Sequence, residues 1–120
     1  MRQVLFVALG GAFGSVARYG AGVAMARLLG LAFPWGTLTV NILGALAIGV
    51  LTARIDPSHE DLRLLLGVGV LGGFTTFSTF SLEAVRMVQQ HQSGAAVLYV
   101  GASLILGLGA CWLGLVLGRP

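Results

Sequence analysis

Charge is what this sequence lacks most. Only 9% of its 120 residues are charged and 57% are hydrophobic, whereas ordinary soluble domains are about a quarter charged. A soluble chain this short exposes much of its surface and needs polar residues to cover it. A lipid bilayer is the solvent that suits the residues present. Lysine is absent altogether. The basic residues are all arginines, scattered singly as Arg2, Arg18, Arg27, Arg54, Arg63, Arg86 and Arg119. The net charge of +3 and the pI near 10 therefore do not indicate nucleic acid, whose binding surface needs basic residues gathered on one face or stripe. Single arginines between apolar runs read as anchors whose heads reach the headgroup region.

Cysteine is nearly missing too. Cys111 stands alone inside an apolar run, which excludes a disulfide framework and a thiol metal cluster and leaves a small packing residue. His59 and His91 sit in separate loops with no supporting constellation, which argues against an enzyme. The first apolar segment carries no acid, although a proton-coupled cation exporter needs one buried in the membrane.

What the chain does have is four apolar stretches, each near the roughly 20 residues that span the hydrocarbon. They run over 4–26, 35–53, 64–82 and 95–117. Met1 and Arg2 followed by an apolar run to Gly14 have the outline of a signal peptide, but three further apolar segments favour a first membrane helix. The expectation is an all-α membrane protein, with residues 1–120 forming a single four-helix transmembrane domain. Between the second and third spans lies the one clearly water-facing stretch, Arg54 to Arg63. There Asp56–Pro57 resembles an N-cap with proline at the first helical position, and Ser58 with Asp61 resembles a capping box.

Orientation is weakly specified. Four crossings put Arg2, Arg54, Arg63 and Arg119 on the side of the termini. Arg27 and Arg86 lie on the other side, and Arg18 leans that way. That is a poor bias for the positive-inside rule. Two readings stay open: termini in the cytoplasm, or insertion both ways with pairing between inverted copies. Nineteen glycines include Gly10 with Gly14, Gly69 with Gly73, and Gly114 with Gly118. This spacing lets helix backbones approach closely in lipid, and four helices cannot enclose a wide aqueous lumen.

Polar side chains inside the bilayer face a partner or a pathway. Thr37, Asn41 and Gly44 share one face of the second span, and Asn41 lies about 9 Å along the helix from Trp35. Spacing alone leaves Asn41 as either interhelical glue or part of a path. The third span holds Gly72–Gly73 and then Thr75-Thr76-Phe77-Ser78-Thr79-Phe80-Ser81. Either a glycine-assisted kink or a true break fits. A break frees backbone carbonyls that suit a cation and amides that suit an anion. Phe77 and Phe80 share a face as core packing or as two ring edges turned to an anion. Thr76, Thr79 and Glu83 form a polar stripe, and Tyr99, Ser103 and Gly107 recur every four residues on the fourth span. Glu83 looks odd beside an anion route and reads more simply as an interfacial acid near Arg86. Arg18 reads as a snorkelling anchor or as the source of positive potential in a vestibule.

At this point the residues resemble a known family. Gly10-Gly11-Ala12-Phe13-Gly14, Arg18-Tyr19, Gly36-Thr37-Leu38-Thr39-Val40-Asn41 with Gly44, and the segment Gly72 to Ser81 look like the signature segments of the Fluc/CrcB fluoride channels. The resemblance covers essentially the whole chain. It implies an antiparallel, dual-topology homodimer in a bacterial inner membrane, with the third helix broken mid-membrane. It also implies two narrow pores through which fluoride passively leaves the cytoplasm. On that resemblance Asn41, Phe77 and Phe80 correspond to pore-lining residues. Thr37, Ser78, Thr79, Glu83, Tyr99 and Ser103 correspond to a polar track, with Arg18 at a vestibule. The backbone carbonyls of Gly72 and Thr75 correspond to a structural Na+ site at the dimer centre, the ion being held and not transported. Gly107 stands where a hydroxyl would continue the track. A small four-helix multidrug exporter and a structural subunit of a larger membrane complex are the rival readings.

Overall fold

The computed structural model describes all residues from Met1 to Pro120, and every regular element in it is helical. Helix α1 spans Arg2–Leu29, α2 Trp35–Arg54, α3 Glu60–Arg63, α4 Gly72–Phe74, α5 Phe77–Gln89 and α6 Ser93–Gly118; a π-helical run, Leu64–Leu71, joins α3 to α4. Four stretches are long and apolar enough to cross a membrane: Arg2–Leu29, Trp35–Arg54, Glu60–Gln89 and Ser93–Gly118. Each helix runs past its apolar stretch, because the backbone ladder continues into the headgroup zone. The molecule measures 49 × 29 × 23 Å. Its long axis therefore exceeds the hydrocarbon core of about 30 Å and approaches the whole bilayer thickness.

Glycine decides which helices touch. A Cβ at Gly10 or Gly14 would strike backbone atoms of Leu65, Gly69, Val70 and Phe74. A Cβ at Gly69 or Gly73 would strike Gly10, Gly11 and Ser15. The first two spaced pairs are thus partners of each other, locking α1 against the third span. The remaining pair, Gly114 with Gly118, meets Leu46, Gly49, Val50 and Ala53, which joins α6 to α2. Without a hydrophobic force between helices in lipid, such backbone contact is what dispersion packing can use. Few side chains are buried, and the small core is Leu38, Phe80, Met87, Ala96 and Tyr99.

The water-facing turn differs from the sequence expectation. Asp56 does not cap a helix, and Ser58 with Asp61 forms no capping box. The Ser58 N–H donates to Asp56 Oδ1 at 2.8 Å and the His59 N–H donates to the Asp56 carbonyl at 3.0 Å, a side-chain-mimicked turn. Hydrogen bonding from Ser58, through its side chain first and its N–H second, holds the Asp56 carboxyl below its ordinary value. Helix α3 starts at Glu60, after His59 and with no side-chain cap. Arg2 is not a free anchor either: it pairs with Asp61 at 3.0 Å, and Gln3 donates to Glu60 at 3.1 Å. Those contacts fasten the start of α1 to the start of the third span.

Candidate functional site

One face of α2 organises the site. Thr37, Asn41 and Gly44, at i, i+4 and i+7, meet Glu83, Thr76 and Thr75 in reverse order along the third span. Thr37 Oγ1 donates to Glu83 Oε1 at 2.5 Å. Asn41 Nδ2 donates to the Thr76 carbonyl at 3.0 Å, and the Thr76 N–H donates to Asn41 Oδ1 at 2.8 Å. Gly44 makes room for the Thr75 methyl group and the Phe74 ring, where any Cβ would collide.

Between α4 and α5 the backbone is extended at two residues, Thr75 (φ −91°, ψ 159°) and Thr76 (φ −153°, ψ 118°). The glycine pair itself is helical: Gly72 and Gly73 lie within α4. Freed polar groups find partners individually. Asn41 takes both the N–H and the carbonyl of Thr76, and Arg18 Nε donates to the Gly73 carbonyl at 3.0 Å. Arg18, half-buried, thus reaches the backbone of the third span. Thr76 Oγ1 accepts from the Thr79 N–H at 3.2 Å and so caps α5. Thr75 Oγ1 donates to the Leu71 carbonyl at 2.8 Å, and Ser81 Oγ to the Phe77 carbonyl at 2.9 Å. The hydroxyl of Ser78 is 3.3 Å from that of Thr76.

Aromatic rings continue the site. Phe77 is 77% exposed, while Phe80 is 8% exposed and Tyr99 fully buried. The ring centroids of Phe77 and Phe80 are 5.6 Å apart. Phe80 meets Tyr99 edge-on at 5.2 Å, and Phe33 meets Tyr99 edge-on at 5.5 Å. Phe33, in the α1–α2 connection, was not singled out from sequence; its position next to Pro34 and Trp35 was the only signal. The hydroxyls of Tyr99 and Ser103, one turn apart on α6, are buried and have no hydrogen-bond partner. Unpaired buried donors are uncommon and each needs an explanation. A Cβ at Gly107, one turn further, would meet open space, so the row of hydroxyls ends at Ser103.

Glu83 and Arg86 do not form the ion pair that their i, i+3 spacing suggests. The one salt bridge in the chain is Arg2–Asp61, and the carboxylate of Glu83 is taken by Thr37. Asn41, Thr37, Thr76, Thr79, Glu83, Phe80 and Tyr99 are therefore brought together, with Ser103 one turn beyond. Phe77 and Ser78 stand at the exposed edge of this group. Gly72 and Thr75 line a separate concavity of about 380 Å³ that also includes Asn41, Gly44 and Phe77.

Comparison with known proteins identifies the family. A family model described as "CrcB-like protein, Camphor Resistance (CrcB)" matches residues 5–115. A "Fluoride-specific ion channel FluC" of Rhodospirillum centenum is 48% identical over 122 residues, covering 99% of this chain and 97% of that protein. Proteins of the same name from Caulobacter vibrioides and Agrobacterium fabrum are 48% and 50% identical, also over 99% of this chain. The relatives are bacterial and nearly the same length, consistent with a multi-pass bacterial membrane protein that is not an enzyme. Matched along almost its entire length, the chain belongs to the CrcB family.

Proposed function

We propose that this chain is a fluoride-selective channel that lets F⁻ leave the cytoplasm passively, and that two copies pair antiparallel to form it. The observation that carries the reading is the pair of buried, partnerless hydroxyls on Tyr99 and Ser103 beside Phe80, in a chain whose relatives are named fluoride channels. Fluoride is small and strongly hydrated, so each water it loses must be replaced by a strong donor. Two free O–H groups and the second N–H of Asn41 are such donors. The positive edges of Phe77 and Phe80 add attraction without a counter-charge. Weak, distributed attraction allows the ion to leave as well as enter.

The direction follows from chemistry outside the protein. Hydrogen fluoride crosses membranes as a neutral acid and ionises at cytoplasmic pH. The trapped anion then runs down its own gradient, helped by about 2.3 kcal/mol per 100 mV of inside-negative potential. In this reading the Thr75–Thr76 interruption lies at mid-membrane, and the exposed ring of Phe77 is covered by the second copy. A structural Na+ at the dimer centre is consistent with the donor set. The Thr75 carbonyl accepts no hydrogen bond, and it lines the same concavity as exposed Gly72. Hard carbonyl oxygens suit such a cation, which would tie the two copies together.

Purified protein in liposomes, with ion-selective electrodes following efflux, tests the reading. Fluoride should leave quickly and chloride should not. Phe80→Ile should slow fluoride greatly, and Tyr99→Phe should slow it far more than it lowers thermal stability. Rapid chloride loss, or fluoride flux unchanged in both variants, would refute it.

A further inference from the structure

Tyr99 is fully buried, and nothing bonds its hydroxyl. A buried tyrosine is ordinarily located by the hydrogen bond at its tip. Here ring packing must do that work. Two rings meet Tyr99 edge-on, Phe80 at 5.2 Å and Phe33 at 5.5 Å. Phe80 belongs to α5, within a membrane-crossing segment, whereas Phe33 lies in the α1–α2 connection, outside all four.

That connection is built to hold the ring. Gly30 ends α1 with φ +82°, a conformation that favours glycine. Pro34 has φ −79° and ψ 63°, and the Trp35 N–H donates to the Phe33 carbonyl at 2.8 Å. This is an inverse γ-turn, with its central φ fixed by the proline ring. Phe33 lies beside Trp35, ring centroids 4.8 Å apart, and packs against the core that contains Phe80 and Tyr99. It also borders a concavity of about 340 Å³ that Tyr99 does not line.

We infer that Phe33 is a positioning residue for the Tyr99 hydroxyl: the Pro34 turn fixes one ring, and that ring fixes where the free donor stands. The inference rests on the channel reading above and deepens it, making fluoride passage depend on a side chain that need not touch the ion. A donor placed by packing is only as precise as its supporting shell. Substituting Phe33 therefore acts through Tyr99, and has nothing to act on once the hydroxyl is gone.

The test combines fluoride flux through proteoliposomes with NMR of tyrosine isotopically labelled at Cζ. The spectra are read in a Tyr19→Phe background, where Tyr99 is the only tyrosine. Phe33→Leu keeps an apolar side chain and removes the edge-on pair. It should slow fluoride about two- to ten-fold, the size of one such aromatic contact. In a Tyr99→Phe background the same substitution should bring no further loss. The Tyr99 resonance should shift and broaden with Phe33→Leu. Pro34→Ala keeps the ring and loosens the turn; it should show the same pattern with a smaller loss, and it carries the test where Phe33→Leu does not fold. An unaltered protein that passes no fluoride would sink the channel reading, while the resonance would still report how Phe33 holds Tyr99. In conducting protein, an unmoved Tyr99 resonance, an unchanged flux, or an equal loss with and without the Tyr99 hydroxyl would overturn the role of Phe33 alone.

Discussion

Asn41 shows how one side chain can serve both peptide groups of an extended residue. Its carboxamide presents a donor and an acceptor at fixed separation, and it gives both to the peptide groups of Thr76. In a bilayer no water is available to replace them. Asn41→Ala should therefore leave two backbone groups unsatisfied, costing about 1–3 kcal/mol each. The expected outcome is a marked fall in thermal stability in detergent together with loss of fluoride flux. Asn41→Asp separates the two duties, since it keeps the acceptor for the Thr76 N–H and loses the donor. It should recover part of the stability and none of the flux. A fully stable Asn41→Ala protein would show that the Thr76 peptide groups find other partners.

At the scale of elements, the apolar stretches and the three glycine pairs are readable because each depends on local composition and a fixed helical period. Gly10, Gly14, Gly69 and Gly73 even name their own partners, since only such surfaces let two backbones touch. The site is less readable. Nothing in the sequence marks the π-helical run Leu64–Leu71, and the glycine pair draws attention two residues too early. The extended residues are Thr75 and Thr76, where Asn41 and Gly44, about thirty residues away, meet them. Ser58 and Asp61 matched a capping motif, yet Asp56 claimed the Ser58 N–H first. The glycine seam also positions chemistry, because α1 brings Arg18 to the Gly73 carbonyl. Gly14→Val should force α1 away from the third span, overpacking that costs about 1–3 kcal/mol or more, and should disable flux by withdrawing Arg18. Gly20→Ala, whose added Cβ meets nothing within 4 Å, should keep both; thermal denaturation and fluoride efflux measured on the two variants check the contrast.

For the whole molecule, the arginine distribution carries the consequence. Arg18 donates to the Gly73 carbonyl from a half-buried position, so it is counted with neither water-facing side. The count becomes four arginines beside the termini, Arg2, Arg54, Arg63 and Arg119, against Arg27 and Arg86 opposite. Orientation follows basic residues in short loops, with acids contributing little. An imbalance this small permits insertion both ways, which an antiparallel pair requires, and a few substitutions should abolish it. Ser58→Arg with His59→Arg strengthens the terminal side to six against two. Arg2→Gln and Arg54→Gln with Gln89→Arg and His91→Arg reverses it to two against four. Each set alone should give chains of a single orientation, with fluoride efflux from cells expressing it close to that of empty membranes. Expressing both sets together should restore efflux, because each then finds an inverted partner. Full efflux from either set by itself, with its single orientation verified by labelling cysteines placed in the loops, would mean that the working unit is parallel or a lone chain. The partner proposed to cover Phe77 would then have to be given up.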